Sequence, residues 1–344
     1  MEETAVKVAM WHGGKDIRIE DAPKPRIKRG EALIRVRAVG ICGSELHVYE
    51  GISKRRVPPL VMGHEFSGEV AEVEDGAAGI QKGDRVAVEP IIRCGTCEQC
   101  ARGRSNICSN MRLMGLHMTG AFAEYVAVPA EKCYKIPDNV SFEEGSTAEP
   151  LSVGLHAVNR ASIGLGDAVV VLGAGVIGLM SVQAAKIAGA AKVLVTDLFD
   201  YRLKLARKLG ADAVINVKEE DPVKVVMELT DGKGVDAILE AVGIQKTMQQ
   251  AMTMVKKGGV VTAIGMLAKT MELEMLDAVV RETELKGSYG YTPGEFKSAL
   301  GLIGAGRVDV KSLITHVFPL RDIVKGFEAL SEKKEGVVKV VIKP

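Results

Sequence analysis

The stretch Ala-Val-Val-Val-Leu-Gly-Ala-Gly-Val-Ile-Gly, Ala168 to Gly178, decides how the chain is read. Five apolar residues are too few for a helix and suit a fully buried strand. Three glycines then break the run, and a helical pattern follows from about Val176 to Ala188. The uncharged run Ala168 to Ala185 touches the length of a membrane helix. It carries Gly173, Gly175, Gly178, Ser181 and Gln183, which fit a strand turning into a helix better than a lipid-facing span. Onward from it the texture repeats. VLVTD is followed by a helix through Arg207, AVIN by a helical stretch from Pro222, and DAILEAVG by another helix before VVTAIG. Strand and helix in strict alternation predict a parallel sheet covered by helices on both faces.

Gly173, Gly175 and Gly178 form a G-x-G-x-x-G run between the strand and the helix, with Val176 and Ile177 opening that helix. The first glycine permits the tight turn, the second lets backbone approach a pyrophosphate, and the third lets helix and strand pack closely. The N–H groups at the helix start face the anion. Asp197 ends the next strand, where a carboxylate accepts hydrogen bonds from both ribose hydroxyls and repels a 2′-phosphate. NAD is therefore favoured over NADP. Arg202, five residues on, complicates this preference, because a cation there could stack on adenine or meet a phosphate. The structural alternative is a glycine-rich turn beside a solvated Asp.

Upstream, residues 1 to about 150 change texture. Ala32–Val39, Phe66–Val73, Arg85–Val88 and Glu124–Val128 are short alternating or β-branched segments between Gly, Pro and Asp, so a mostly β domain is expected. Downstream of Gly287 the chain offers two short helices and a last strand, Val337–Ile342, too little for a core of its own. This tail is expected to pack back onto the β domain. At 344 residues, two domains fit the length. The balance of 45 Lys+Arg against 44 Asp+Glu removes the electrostatic basis for nonspecific binding to nucleic acid or anionic membrane. The start MEETAVKVAMWHGG has no apolar block before a cleavage-like site, so no signal peptide is expected and a cytoplasmic location is the default.

Six cysteines in such a chain suggest metal ligands or reduced thiols rather than a disulfide framework. Cys94, Cys97, Cys100 and Cys108 lie within 15 residues, in a loop with no apolar periodicity. Four thiolates close a tetrahedral shell around zinc and leave no open position, the mark of a structural site. An iron–sulfur cluster is disfavoured, because Ser109 rather than proline follows the last cysteine. Cys42, in GICGSELH, and His64-Glu65, in MGHE, are weak signals separately. Next to a nucleotide-binding unit they become candidates for an open zinc site, where a metal binds a hydroxyl oxygen while a hydride leaves its carbon. Glu149, in STAEPLS, could add an oxygen ligand or be only a helix-start carboxylate. Cys133 is left as an ordinary thiol.

Through GICGSELH, GHEFSGEV, the four-cysteine lobe, AEPLSVGLHA and VLGAGVIGL, the chain resembles the zinc-containing medium-chain dehydrogenase/reductase family, in its sorbitol, butanediol and threonine dehydrogenase branch. The resemblance implies an α/β protein with a GroES-like catalytic domain, 1–153 and 293–344, whose structural zinc lobe spans about 90–112. A doubly wound Rossmann domain, 154–292, would bind NAD, with the active site between the two. It implies Cys42, His64 and Glu149 as the catalytic zinc shell, Glu65 as an exchangeable or outer ligand, and two zincs per chain. Ethanol-type members have a second cysteine where Glu149 stands, which turns the expectation toward diols and polyols. Ser44 and His47 fall at proton-relay positions, from the zinc-bound oxygen to Ser44, through a ribose hydroxyl to His47, and out to solvent. Val242, Ile264, Ser288 and Tyr289 fall at cofactor-contacting positions, and Tyr49, Glu65 and Arg93 are candidate substrate contacts. Sorbitol dehydrogenases carry an Arg-Tyr pair where this chain has Ser288-Tyr289-Gly290-Tyr291-Thr292, so a short vicinal diol fits better than sorbitol. L-Threonine 3-dehydrogenase is the alternative activity. A nonenzymatic nucleotide-binding relative and a zinc-independent quinone reductase are the alternatives of another kind. A homotetramer or dimer follows from the resemblance alone.

Overall fold

In the computed structural model, which describes residues 5–74 and 79–344, the quoted stretch forms the strand Ala168–Leu172 and the helix Val176–Ala188. Some of the acidic start that argues against a signal peptide lies outside the described residues. Ala168–Leu172 is flanked by Lys192–Asp197 and then Ala213–Asn216 on one side, and by Val235–Glu240, Val255–Ala263 and Glu284–Gly287 on the other. Every pairing is parallel. Val169–Leu172 and Val193–Val195 are fully buried, which is why these strands read as unbroken apolar runs rather than alternating ones. Strand order reverses at Ala168–Leu172, so the carboxyl end of that strand is the place where a doubly wound sheet opens a ligand crevice. The following helix ends at Gly189, whose φ of +105° closes it in a left-handed cap. Helix Pro222–Leu229 starts on Asp221, whose side chain accepts from Val223 N, with Pro222 in the first turn.

The chain divides into two compact units, Pro150–Glu295 and Met1–Glu149 with Phe296–Pro344. Both crossings lie inside helices, Ala148–Ala161 and Pro293–Gly304, so no linker composition marks them. In the discontinuous unit, Glu31–Gly40 is the centre of a seven-stranded sheet. Glu65–Val73, Arg85–Val88 and Cys133–Lys135 continue it on one side, and Lys339–Lys343 and Ile314–Pro319 on the other; Tyr125–Pro129 also pairs with Glu31–Gly40. The carboxyl-terminal residues thus enter the sheet begun by the amino-terminal ones, Val341 facing Gly40. Their apolar residues Phe327, Val340 and Ile342 share one core with Ile34, Val39, Phe66 and Phe122. The strand Ile314–Pro319 goes beyond the expected tail of two helices and one strand; partly exposed, with no fully buried residue, it carries only a short apolar signal. Ala5–Gly13, Asp16–Pro23 and Leu60–Val61 form a separate small sheet, and Ile91–Ile92 pairs with Arg112–Leu113 at the base of the cysteine lobe.

Candidate active site and metal centres

Cys42 caps the seven-residue helix Gly43–Tyr49, and three interactions radiate from that turn. The Cys42 N–H donates to Glu45 Oε2 at 3.0 Å, Ser44 Oγ donates to Cys42 Sγ at 3.4 Å, and Glu45 Oε1 meets His64 Nδ1 at 2.8 Å. Gly63 N–H donates to the same Glu45 oxygen at 2.8 Å. Glu45 is wholly buried; burial alone would raise its carboxyl, but His64 and Arg56 beside it hold it below the ordinary range. Burial likewise opposes a proton on His64, yet Glu45 and Cys42 pull its value well above the ordinary one. A neutral His64 that donates Nδ1–H to Glu45 presents Nε2 as a ligand, the carboxylate–histidine–metal arrangement.

The ligand atoms of Cys42, His64 and Glu65 lie within 4.8 Å of one another. His64 precedes the strand Glu65–Val73 and follows Gly63, whose φ is +95°, so the strand rule that sends neighbours to opposite faces does not separate the two. Glu65 forms an ion pair with Lys339 Nζ, which also donates to Ile41 O at 3.0 Å; both side chains are buried. Burial opposes the charge on Lys339, and Glu65, Cys42 and Glu45 more than restore it. Gly40 makes room: a Cβ there would lie 2.4 Å from Glu65 Oε2 and 2.6 Å from Lys339 Cε. Thiolate, imidazole and carboxylate together are a fitting donor set for zinc with an open position.

Glu149 stands outside that group. It is an acid in the first turn of Ala148–Ala161, the place where a carboxylate meets the positive end of a helix. Two expected substrate contacts are placed elsewhere. Tyr49 is 2% exposed with its ring 4.9 Å from that of Phe327, because its apolar body serves the core. Arg93 pairs with the fully buried Glu89, which Lys132 Nζ also reaches at 3.3 Å, so its charge is spent within the domain. His47 is half-buried, one turn beyond Ser44, and burial lowers its imidazole.

The four lobe cysteines also have their sulfurs within 4.8 Å of one another. Cys94 and Cys108 Sγ are 3.4 Å apart and Cys97 and Cys108 Sγ 3.9 Å. A tetrahedron with metal–sulfur bonds of about 2.3 Å has edges of about 3.8 Å, and a disulfide needs about 2.05 Å, so the spacing fits zinc and not a bridge. Backbone N–H groups of Thr96 and Cys97 bring the Cys94 thiol down to about 5, while burial and neighbouring thiols push Cys100 up to about 12. Crowded thiols cannot all ionise without a cation among them. Cys133 is pushed up to about 12 by burial alone, consistent with an inert thiol.

At the glycine loop, Gly173 has φ +95°, and a Cβ on Gly178 would lie 1.8 Å from Gly173 O. Gly175 caps the helix with no side-chain bond, and nothing lies within 4 Å of where its Cβ would be, which leaves a cradle for phosphate. Asp197 Oδ2 accepts from Ala174 N–H at 2.8 Å, and Oδ1 accepts from Leu198 and Phe199 N–H at 2.8 and 3.0 Å. The carboxylate therefore holds the loop. Arg202 stacks over Phe199 and Tyr201, 5.1 and 5.6 Å from the ring centres, and is 3.9 Å from Asp197. Val242 packs against Gly173, while Ile264 N–H donates to Glu240 O at 2.8 Å. Ser288 is buried and Tyr289 half-buried just past the edge strand Glu284–Gly287. Glu240, fully buried at the end of its strand, accepts from Val242 N–H, Gly243 N–H and Thr247 Oγ, and so fixes the neighbouring loop.

Sequence reasoning missed Glu45, Arg56, Lys339 and Glu240. Their one signal was a charged residue inside an otherwise apolar or turn-forming segment.

Residues 28–138 match the family described as alcohol dehydrogenase GroES-like domain, and residues 176–305 the one described as zinc-binding dehydrogenase. A sorbitol dehydrogenase of Bacillus subtilis (strain 168) is 36% identical over 98% of this chain and 97% of its own. An L-threonine 3-dehydrogenase of Bacillus licheniformis is 37% identical over 94% of each chain. The crystal structure of 2R,3R-butanediol dehydrogenase from Bacillus subtilis matches with a TM-score of 0.91 at 36% identity, over 98% of this chain and 99% of that one. With likeness of this extent across both units, the chain belongs to the zinc-containing medium-chain dehydrogenase/reductase family of alcohol dehydrogenases.

Proposed function

We propose that the protein is a zinc- and NAD-dependent dehydrogenase that oxidises a secondary alcohol, in a vicinal diol or polyol, to the ketone. The observation that carries this reading is the meeting of Cys42, His64 and Glu65 beside Ser44. When bound, zinc supplies a Lewis acid for the hydroxyl oxygen and NAD accepts the hydride. Cys42 and His64 hold the metal, with Glu65 or Glu149 as the carboxylate. Glu45 orients the His64 ring, and the Lys339 ammonium balances the negative charge gathered around Cys42 and Glu65. Ser44 Oγ takes the hydroxyl proton, and His47, one turn along the helix, passes it toward solvent. Gly173, Gly175, Val176, Ile177 and Gly178 cradle the pyrophosphate, Asp197 and Arg202 bind the adenosine half, and Val242, Ile264, Ser288 and Tyr289 line the remainder. Cys94, Cys97, Cys100 and Cys108 hold a second, structural zinc. A homo-oligomer is supported by Leu285 on the edge strand Glu284–Gly287 and by Met275, Leu276, Val279 and Val280, all 50–72% exposed. A cytoplasmic location is proposed on the sequence grounds given above, and no helix among the described residues is long and apolar enough to cross a membrane.

The test is NADH formation with 2,3-butanediol, sorbitol, L-threonine and simple alcohols, combined with zinc analysis. Diol or polyol turnover with about two zincs per chain is the outcome expected from one closed and one open site. Dominance of threonine would favour the second reading, which the 37% identical relative keeps open. Absence of turnover with any alcohol by the zinc-loaded protein would overturn the dehydrogenase reading.

A further inference from the structure

The last strand of the chain reaches into the open metal group. Gly40 ends the strand Glu31–Gly40, with Glu65 paired to it on one side and Val341 on the other. The side chains of Lys339 and Glu65 meet over this glycine: a Cβ at Gly40 would lie 2.4 Å from Glu65 Oε2 and 2.8 Å from Lys339 Nζ. Lys339 Nζ also donates to Ile41 O at 3.0 Å, while Ile41 N–H donates to Val340 O at 2.9 Å. Both backbone polar groups of Ile41, the residue before Cys42, are thus held by Lys339 and Val340, and Lys339 lies 298 residues further along the chain. Thr315 ties this segment down in turn, since its Oγ1 donates to Lys339 O at 3.2 Å and accepts from Val338 N–H at 3.0 Å.

An ammonium that is 1% exposed is costly to bury unless its partners are fixed. Balance of charge alone does not call for this placement, because a cation elsewhere near the group would serve as well. Lys339 instead grips the parts that carry two of the three donor residues, the Glu65 carboxylate and the peptide before Cys42. A carboxylate has two oxygens, so Glu65 with Oε2 on Lys339 keeps the other for a metal. An outer partner of this kind fixes the direction of a ligand and strengthens binding. Charge acts in the opposite sense, for an ammonium beside a metal cation repels it. Position and charge therefore give opposite outcomes when the lysine is removed.

We propose that Lys339 is a positioning residue for the open zinc site: it aims Glu65 at the metal and fixes the peptide before Cys42, so that metal binding and docking of the strand Lys339–Lys343 stabilise each other. This rests on the open zinc site of the dehydrogenase reading and makes the carboxyl-terminal strand a part of that site.

The experiment titrates the full-length protein with zinc against a chromophoric chelator, and uses cobalt in place of zinc to report coordination by visible absorption. K339M is expected to weaken binding at the open site about 10–100-fold and to change the cobalt spectrum. In an E65Q background the same replacement should add at most about threefold, because the lysine acts mainly through that carboxylate. K343A, at the exposed end of the same strand, should leave zinc affinity unchanged. Equal or tighter binding by K339M, or losses that add fully with E65Q, overturns the inference and assigns the lysine to charge or packing. Should K339M fail to fold, G40A decides, since it keeps both charges and pushes a methyl between them; unchanged affinity in G40A overturns the inference. Amide hydrogen exchange in residues 339–343 of the unaltered protein reads the linkage without any substitution. It should slow by about tenfold or more when the open site is filled, and an equal rate in the filled and emptied forms overturns the linkage. C42S separates the two ideas, because it should lose about one zinc per chain. Retention of that zinc removes the open site and the dehydrogenase reading with it, whereas its loss alongside unchanged affinity in K339M and G40A removes only the role of Lys339.

Discussion

Glu45 shows how much of the site depends on one residue that touches neither substrate nor cofactor. Its carboxylate receives the Cys42 and Gly63 N–H groups and the His64 ring, so it ties the loop before one ligand to the loop before the other. In sequence it reads only as the acid of a capping box three residues after Cys42. E45Q keeps the shape and removes the charge. It is expected to weaken zinc binding about 10–100-fold, the usual range for outer partners of a metal histidine. Competition with a chromophoric chelator reads this directly; unchanged zinc affinity would mean that Glu45 only packs. At His47 the expectation concerns the proton. H47A should lower turnover and alter its pH profile, by roughly tenfold or more if the imidazole carries the proton. An unchanged rate and profile would take His47 out of the mechanism.

At the scale of elements, the strand–loop–helix unit Ala168–Ala188 was the most legible part, because every requirement in it is local. Glycine at 178 is dictated by a Cβ position 1.8 Å from Gly173 O, a backbone atom that cannot swing away. G178A should therefore cost at least about 1–3 kcal/mol, as overpacking does, and weaken NAD binding by shifting the loop. Denaturant unfolding and NAD titration check both, and a fully stable variant with normal NAD affinity would contradict the packing account. The four-cysteine lobe is equally local, for its ligands come from a single loop. C100S should remove about one zinc per chain and lower the melting temperature, since this site's binding energy is folding energy. Loss of both zincs would instead couple the lobe to the Cys42 group. The open site was less legible, because Cys42, the His64-Glu65 pair and Lys339 come from three separate parts of the chain.

For the whole molecule, the two chain crossings carry a prediction about acid. His156, on the helix of the first crossing, meets Glu295, on the helix of the second, at 3.0 Å, and Asn159 and the Thr292 N–H also bind that carboxylate. Burial opposes the charge on Glu295, but His156, Thr292 and Asn159 bring it from 4.5 down to about 2. A carboxyl lowered in the folded state stabilises fully above its unfolded value and loses that contribution as pH falls from about 4.5 toward 2. E295Q is expected to lower stability at pH 7 by about 1–3 kcal/mol, as loss of a buried charged hydrogen-bond partner does, with the gap to the unaltered protein narrowing through the acid range. Urea unfolding at pH 7 and pH 3 measures it; a constant gap would assign the effect to packing.

Residue identities by themselves determined the doubly wound sheet, the glycine loop with its acid, the closed cysteine site and the return of the tail to the first domain. Each rests on period, spacing or length, which survive without coordinates. Tertiary structure alone decided that Glu65 lies close to Cys42 and His64 while Glu149 stands in the first turn of Ala148–Ala161, that the side chains of Tyr49 and Arg93 are buried, and that Arg56 is bonded to Ser44. The reason is physical: a charge is neutral bookkeeping along the chain, and only folding brings it to a partner, a metal site or another like charge, where its energy depends on distance and burial.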